Sequence, residues 1–282
     1  MCDGRDRCTL YLGRMQPASC ANCAIALEPS YTFCPACGQK TAVHRLGIGH
    51  LAHEGLHFFT HADKGIVLLI RDLAIRPGRV ARAYITGRRT AHYSPLSFFF
   101  LVLGIFVLTL SFLHTFERSD TFATMRANAS HIPDPATRQR VLGKLARATQ
   151  ANRFMDKYGN FVAIVATPVV ALVFLLCYAR RGYNYAEHLV ANLYFTGFCG
   201  LVFILFFAPL LALLPQRLYM VGIGGYLLFT LVYRTAAYAG MMEARTARAY
   251  LHAFAASMAT VVTWFVLSGF AVTYYINKGF SF

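Results

Sequence analysis

The chain has 282 residues, of which 57% are hydrophobic and 14% are charged, and its formal net charge is +15 at pH 7. A soluble domain of this length needs more charged surface, so the composition excludes an ordinary soluble globule and favours a membrane protein. The basic surplus is typical of cytoplasmic loops in membrane proteins. Because no basic motif interleaved with aromatic residues accompanies it, we expect no nucleic-acid binding.

Residues 18–42, which follow a polar N-terminus predicted to be disordered (1–17), carry the strongest motif of the sequence. The segments CANC and CPACGQK each contain a C-x-x-C pair, and ten residues separate the two pairs. Four thiolates at about 2.3 Å satisfy tetrahedral zinc, and Gly38 suits a knuckle turn with positive φ. The four ligands are Cys20, Cys23, Cys34 and Cys37.

Two other interpretations compete with this zinc ribbon. A pair of disulfides requires an oxidising compartment, and a redox-active C-x-x-C normally accompanies a βαβ pattern, which the sequence lacks. The sequence contains no apolar N-terminal core followed by a cleavage site, so we expect a cytosolic N-terminus with reduced thiols. We therefore predict structural Zn²⁺, without zinc catalysis, because four thiolates leave no open coordination position.

Residues 44–92 are predicted to form cytosolic amphipathic helices at the membrane interface. In the stretch HLAHEGLHFFTHADK, four histidines share one helical face and apolar residues occupy the other. An i, i+4 histidine spacing suits a metal or a pH sensor, and a polar face that uses histidine explains the same pattern. The four histidines are His50, His53, His57 and His61.

The basic stretch RPGRVARAYITGRRTAHYSP leads from this segment into the first apolar helix. Its arginines are explained by anchoring on the cytosolic side, together with an aromatic residue at the interface. The alternative is a binding site for an anionic lipid headgroup, since guanidinium groups match phosphate geometry. The candidate ligand-binding residues here are Arg88, Arg89 and Tyr93, and His92 is a candidate for chemistry.

The remaining residues, 93–282, are predicted to form the transmembrane domain with about five helices. Basic residues flank one side of these spans, which places the N-terminus in the cytosol and the C-terminus outside the cytoplasm. Residues 117–160 then form an extracytoplasmic loop, and its basic amphipathic helix is predicted to begin with Asp134 as N-cap and Pro135 at the first helical position. The predicted spans are Pro95–Phe116, Phe161–Ala179, Leu189–Leu214, Leu218–Ala239 and His252–Ile276.

Ionisable residues at the start of the third span are the remaining candidates for chemistry. Glu187 and His188 precede the apolar run in YNYAEHLVANLYF, and either is a candidate general base. Arg234, near the cytosolic end of the fourth span, is expected at a similar depth. We therefore predict a Glu187–Arg234 ion pair, as a lock between helices or as part of a ligand site that also includes His92.

Several of these motifs resemble an uncharacterised bacterial membrane family known as domain of unknown function 3667. The resemblance is carried by CANC, CPACGQK, LIRDLAIRPGRVARAYITGRRTAHYSP and YAEHLV. It covers roughly residues 20–115 and 180–200, and the rest only by hydropathy. The resemblance implies the same architecture, with a zinc ribbon and membrane spans, and no settled activity.

Together these observations predict an all-α polytopic protein of the bacterial inner membrane with a small N-terminal zinc ribbon. The first functional hypothesis is a non-enzymatic envelope or transport-associated component whose ribbon docks a cytosolic protein partner. The alternative is a membrane enzyme or lipid-handling protein that binds an anionic headgroup at the cytosolic leaflet. Membrane lipids are expected partners in both cases.

Overall fold

The computed structural model of the chain describes residues 19–42, 45–49, 65–113 and 120–278. Two sequence predictions lie outside the described residues and are not tested. They are the disorder of residues 1–17 and the histidine face formed by His50, His53, His57 and His61.

The described chain is a helical bundle preceded by a small module of turns, which confirms the predicted all-α class. Two short helices lie between module and bundle, and the second, Pro77–Ile85, carries two arginines and has Pro77 at its first position. A 3₁₀ turn, Ala179–Arg181, follows α5, and a π-helical turn, Phe203–Phe207, joins α6 to α7. The helices are Gly65–Ile75 (α1), Pro77–Ile85 (α2), Pro95–Leu113 (α3), Asp120–Ser130 (α4), Pro135–Cys177 (α5), Tyr185–Val202 (α6), Ala208–Leu213 (α7), Gln216–Met241 (α8) and Ala247–Lys278 (α9).

Three helical stretches of the described chain are long and apolar enough to cross a membrane: Tyr185–Leu213, Arg217–Met241 and Ala247–Asn277. They coincide with the third, fourth and fifth predicted spans. The first and second predicted spans coincide with shorter apolar helical stretches, Pro95–Thr109 and Ile164–Cys177. The helices are therefore where the hydropathy predicts them, and the number of crossings stays a prediction.

The third span is interrupted at the π-helical turn, and Pro209 explains why. Proline has no backbone N–H, so the ladder of i to i−4 hydrogen bonds cannot continue through it. The chain widens to π geometry over Phe203–Phe207, and α7 then begins with Pro209 in its first turn. The span stays helical throughout, although it is not one regular helix.

Helix α5 extends far beyond the second predicted span. Asp134 is its N-cap and accepts a hydrogen bond from the Thr137 backbone N–H at 2.8 Å, as predicted. The helix then runs for 43 residues to Cys177, a length of about 64 Å at 1.5 Å per residue. Much of the predicted loop 117–160 is thus the first half of the helix that continues into the span.

Helix α6 lies at the centre of the bundle and packs against α3, α5 and α2. Its residues Val190, Ala191 and Tyr194 are fully buried. Helix α2 in turn crosses α8 at backbone contact. A Cβ atom at Gly78 would lie 2.2 Å from the Met241 nitrogen, so only glycine fits this position.

Candidate functional site

The four predicted cysteine ligands lie together at the end of the N-terminal module. Their sulfur atoms are all within 4.8 Å of one another, and the closest pairs join the two knuckles. The Sγ–Sγ distance is 3.6 Å from Cys20 to Cys37 and 3.5 Å from Cys23 to Cys34. All four thiols are free rather than disulfide-bonded.

The two knuckles have the same backbone geometry. In each, the backbone carbonyl of the first cysteine accepts a hydrogen bond from the backbone N–H four residues later. Ala24 donates to Cys20 and Gly38 donates to Cys34, both at 2.9 Å. Both donor residues have positive φ, +61° for Ala24 and +70° for Gly38. Alanine therefore adopts the strained conformation in the first knuckle that glycine adopts freely in the second.

This donor set fits a tetrahedral metal ion. Four thiolates at about 2.3 Å from a central ion have sulfur–sulfur distances of roughly 3.8 Å, close to the separations observed. A disulfide would require a sulfur–sulfur distance of about 2.05 Å, so the geometry fits four ligands of one metal ion rather than cystine. Hydrogen bonds from the Asn22 side chain and the Gln39 backbone lower the pKa of the Cys37 thiol to about 6, whereas the pKa of the Cys23 thiol is raised, so the clustered thiols titrate as one interacting set.

Gln39 connects the second knuckle to the loop that precedes α3. Its side-chain oxygen accepts hydrogen bonds from the backbone N–H of Arg89, the backbone N–H of Thr90 and the Thr90 hydroxyl, each at 3.1 Å. The residue is only 4% exposed. The Arg89 N–H also donates to the Gly87 carbonyl at 2.9 Å, so the Thr90 N–H and hydroxyl are the donors that depend most on Gln39. Through these hydrogen bonds the buried amide fixes the cysteine cluster against the bundle.

The segment after the knuckles makes a second connection, to the start of α6. Arg45 donates two hydrogen bonds to the Glu187 carboxylate, at 2.9 and 3.1 Å, and one to the Gly182 carbonyl. The Leu46 carbonyl accepts from the Asn184 side chain at 2.9 Å, and the Leu46 side chain is buried in the core. The N-terminal module is therefore joined to the bundle at two places.

The predicted Glu187–Arg234 ion pair is wrong. Glu187 forms the capping box of α6 with Asn184 and takes Arg45 as its cationic partner. Arg234 instead donates to Asn192 at 3.0 Å and to Thr196 at 2.9 Å, both further along α6 than Glu187. The two charges lie at different depths, because Arg234 faces α6 more than one turn beyond its first residues.

Arg234 belongs to a buried polar network between α6 and α8. The Asn192 amide donates to the Tyr238 hydroxyl at 2.7 Å, and that hydroxyl lies 3.4 Å from His188 Nδ1. His188, Asn192 and Tyr238 have no exposed surface, and Arg234 is 8% exposed. The network lies in the bundle rather than in an open site, and its hydrogen bonds specify how α6 and α8 pack.

The candidates that precede α3 are close to the module but take different partners. His92 Nε2 lies 3.1 Å from the Asp72 carboxylate, and Arg89 lies over the ring of Tyr84 at 6.0 Å. The Tyr93 carbonyl accepts from the Tyr194 hydroxyl, and Arg88 is exposed. These side chains do not converge with Glu187 and His188 on one cavity, and a catalytic role for His92, Glu187 or His188 stays a prediction.

Three residues with partners distant in sequence have no local signal: Gln39 and Arg45, which join the N-terminal segment to the bundle, and Asp72, which joins α1 to the loop before α3. Their partners lie 50, 142 and 20 residues away, so only the fold brings them together. The buried network was partly predictable from the sequence, because His188, Asn192 and Thr196 follow an i, i+4, i+8 spacing that places polar side chains on one helical face. Tyr238 follows Arg234 with the same spacing on α8.

Comparison with protein families gives a match to the segment between the module and the bundle. Residues 63–107 match DUF3667, a family described as a protein of unknown function. The family resemblance noted from the sequence is confirmed over this segment. No curated protein and no solved structure matches the chain.

The DUF3667 segment contains the features that join the module to the membrane-span-like helices. It covers α1, α2 with Gly78 at the crossing of α8, the loop whose Arg89 and Thr90 bind Gln39, and most of α3. It also holds the Asp72–His92 contact. The matched residues therefore form one structural unit that the cysteine module contacts.

Proposed function

We propose that this chain is a non-enzymatic protein of the bacterial inner membrane whose cytosolic zinc ribbon organises the cytosolic end of its transmembrane bundle. The observation that carries this proposal is the buried Gln39 amide, which accepts three hydrogen bonds from the loop before α3. A ribbon that served only to recruit another protein on a flexible tether would not need this buried contact.

The surface of the helices supports a membrane location. Large apolar side chains along α7, α8 and α9 are highly exposed, including Leu213 at 85%, Met220 at 73% and Phe270 at 72%. Exposed apolar surface of this extent is unfavourable in water and is stabilised by lipid. With the basic loops at one end of the bundle, the positive-inside rule assigns that end to the cytosol.

Zinc is the metal that suits four thiolates in a closed tetrahedral site without redox chemistry. The module has almost no apolar core of its own, so metal binding supplies the free energy that orders it. Loss of the metal should therefore release Gln39 from the loop as well as unfold the knuckles. The role assigned to zinc is structural, because the four thiolates leave no position for a substrate.

The ribbon also has a face that the bundle does not cover, and we propose it as the surface for a cytosolic protein partner. Phe33, which directly precedes Cys34, is 59% exposed. Ile25, two residues after Cys23, is 44% exposed. Exposed aromatic and aliphatic side chains on a rigid module are suited to protein contact. The buried side of the ribbon, with Gln39, contacts its own bundle.

The test combines metal analysis with hydrogen exchange on the purified full chain in detergent. The wild type should contain one zinc ion per chain, and Cys34→Ser should contain none. In Gln39→Ala, the Thr90 backbone amide should exchange roughly tenfold faster, because it loses a hydrogen bond of about 1–1.5 kcal/mol. The Arg89 amide should change less, because it also donates to the Gly87 carbonyl at 2.9 Å. Cys34→Ser should accelerate exchange of the Thr90 amide if zinc holds Gln39 in place.

Two control variants make the result specific. Cys177→Ser removes a thiol outside the cluster and should retain zinc, and Lys40→Ala changes the exposed neighbour of Gln39 and should leave exchange at residues 89–90 unchanged. Absence of zinc from the wild type would refute the metal assignment. Normal zinc content with unchanged exchange in Gln39→Ala would refute the organising role of the ribbon.

A further inference from the structure

A cavity of about 400 Å³ lies at the end of the bundle, between the C-terminus of α5 and the N-terminus of α9. It is separate from the cysteine cluster and from the buried network of α6 and α8. Its wall includes three arginines and no carboxylate. The residues that line it are Leu176, Cys177, Tyr178, Ala179, Arg180, Arg181, Thr246, Arg248, Ala249 and His252.

The guanidinium groups of the three cavity arginines have no acceptor within the described part of the chain, in contrast to the arginines that join elements of the bundle. Arg45, Arg82 and Arg234 each bind an acceptor on another element. Among the described residues, no hydrogen bond or ion pair engages the guanidinium groups of Arg180, Arg181 and Arg248. Three unpaired cations around one concave space repel one another, and a bound anion would relieve that repulsion.

The start of α9 adds to the positive potential of the cavity. Thr246 caps this helix by accepting a hydrogen bond from the Ala249 backbone N–H at 3.3 Å. The first turn contains no acidic residue, so no negative charge of the chain offsets the dipole at the start of this 32-residue helix. Arg248 lies in the same turn, which combines a fixed cation with a helix N-terminus.

The other wall of the cavity is apolar and aromatic. Tyr178 and His252 meet edge to face, with ring centroids 4.7 Å apart, and Leu176 and Cys177 continue that wall along the final turn of α5. This final turn belongs to an apolar helical stretch, Ile164–Cys177. A cationic mouth thus opens onto an apolar wall at the level where a span ends.

We propose that this cavity binds a phosphate group, and that Arg180, Arg181 and Arg248 are its ligands. Guanidinium groups bind phosphate oxygens in pairs, and the α9 N-terminus offers further N–H donors. The phosphate belongs either to an anionic lipid headgroup, whose chains would follow the apolar wall, or to a soluble phosphate compound that enters from the cytosol. This site does not depend on the zinc ribbon, and it differs from the Arg88 and Arg89 site considered from the sequence.

The test measures binding to the full chain purified in detergent, with native mass spectrometry as the readout. The probes are dioleoylphosphatidylglycerol, dioleoylphosphatidylcholine and inorganic phosphate. The wild type should retain phosphatidylglycerol in preference to phosphatidylcholine. Arg248→Gln and Arg181→Gln should each weaken that binding roughly tenfold, the effect of losing a charge-assisted hydrogen bond.

Arg245→Gln is the matched control, because it removes the same charge from an exposed residue of the same loop that does not line the cavity. It should change binding by less than about threefold, the amount expected from a general loss of surface charge. Because the substituted arginines are all exposed, every variant should elute at the same volume as the wild type in size-exclusion chromatography. Zinc content, measured in parallel, should be the same in every variant.

The probes separate the two sources of phosphate. Selective retention of phosphatidylglycerol that inorganic phosphate does not displace assigns the site to a lipid headgroup. Saturable binding of inorganic phosphate that is lost in Arg248→Gln assigns it to a soluble phosphate compound. The proposal is overturned if neither phosphatidylglycerol nor inorganic phosphate binds better than phosphatidylcholine. It is also overturned if Arg245→Gln weakens binding as much as Arg248→Gln does.

Discussion

At the scale of single residues, Asp72 forms the contact that fixes His92 immediately before the first apolar helix. Its carboxylate lies 3.1 Å from His92 Nε2 and 3.0 Å from the Arg71 guanidinium. Burial opposes ionisation of Asp72, but the hydrogen bonds from His92 and Arg71 outweigh it and lower the pKa of the carboxyl below its ordinary value of 3.8. The ionised form is therefore the one that stabilises the fold.

The lowered pKa of Asp72 predicts the pH dependence of one variant. A carboxyl with a depressed folded-state pKa stabilises the native state above its ordinary pKa, and the contribution is lost as pH falls through the folded value. Asp72→Asn should be less stable than the wild type by about 1 kcal/mol at pH 7, a discounted figure for a side chain that is 30% exposed. The difference should shrink as the pH falls below about 4, where the wild-type carboxyl also becomes neutral.

Thermal unfolding of wild type and variant in detergent, from pH 7 to pH 3, measures this difference. Any metal loss in acid affects both proteins, so the difference between their unfolding midpoints reports the contribution of the Asp72 carboxylate to stability. Glu28→Gln is the control, because Glu28 is exposed and the described residues give its side chain no hydrogen-bond partner. A gap that stays constant or widens between pH 4 and pH 3 would contradict the assignment.

Residue positions along the helices were predictable, but charge partners were not. The sequence places Glu187 at the first turn of a helix and Asn184 before it, and the capping box follows from that spacing. The cationic partner of Glu187 is Arg45, which lies 142 positions away, and no local pattern identifies it. Span positions alone favour Arg234 as the partner, whereas the cation comes from Arg45, just after the N-terminal module.

At the scale of helices, the crossing of α2 over α8 depends on one glycine. A Cβ atom at Gly78 would lie 2.2 Å from the Met241 nitrogen and 2.4 Å from the Ala237 oxygen, and both are backbone atoms that cannot rotate away. Gly78→Ala should therefore force α2 away from α8. We expect destabilisation of about 1–3 kcal/mol or more, the range for overpacking, and a lower midpoint of thermal unfolding.

The same contact provides its own control. A Cβ atom at Gly240, on the facing helix, would lie 3.4 Å from the Gly78 Cα, which is ordinary contact, so Gly240→Ala should be tolerated far better. Gly143→Ala, with nothing within 4 Å, should be neutral or slightly stabilising, since alanine favours helix over glycine. Equal effects of Gly78→Ala and Gly143→Ala would show that the two helices do not cross so closely.

Helix positions followed from hydropathy, whereas helix continuity did not. Apolar runs of about twenty residues indicated where the spans lie, and a proline after an aspartate indicated where α5 begins. Its uninterrupted course through a basic amphipathic segment into an apolar one was not predictable, because periodicity describes a face and not the absence of a break. The π-helical turn before Pro209 likewise reflects how the backbone accommodates a proline within the bundle.

At the scale of the whole molecule, three long-range contacts bring the N-terminal module and the basic loops to one end of the bundle. Gln39 binds the loop at residues 89–90, Arg45 binds the Gly182 carbonyl, and Arg82 pairs with Glu243. The helices α6 and α7 then lead away from this end, and α8 returns to it. The cavity proposed to bind phosphate, between α5 and α9, therefore opens on the same side as the cysteine cluster.

This arrangement predicts which residues share a side of the membrane. A single cysteine introduced as Lys40→Cys or Arg181→Cys should react with a membrane-impermeant maleimide only in inside-out vesicles. Arg217→Cys, in the first turn of α8, should react only in intact spheroplasts, because the Tyr185–Leu213 stretch separates it from the basic loops. The cytosolic assignment of the first pair follows from the excess of arginine in those loops.

The labelling requires a background in which the four cysteines outside the cluster, Cys2, Cys8, Cys177 and Cys199, are replaced by alanine. The four clustered cysteines remain, and the background without an added cysteine measures their own reaction. Lys40→Cys and Arg181→Cys must behave alike whichever way the protein inserts, because direct contacts join the module to the α5–α6 loop. Labelling of Lys40→Cys and Arg217→Cys from the same side would contradict the path of α6 and α7 across the membrane. Labelling of all three variants from the sides opposite to those expected would preserve the fold and place the cysteine cluster outside the cytosol, where oxidation would compete with metal binding for the thiols.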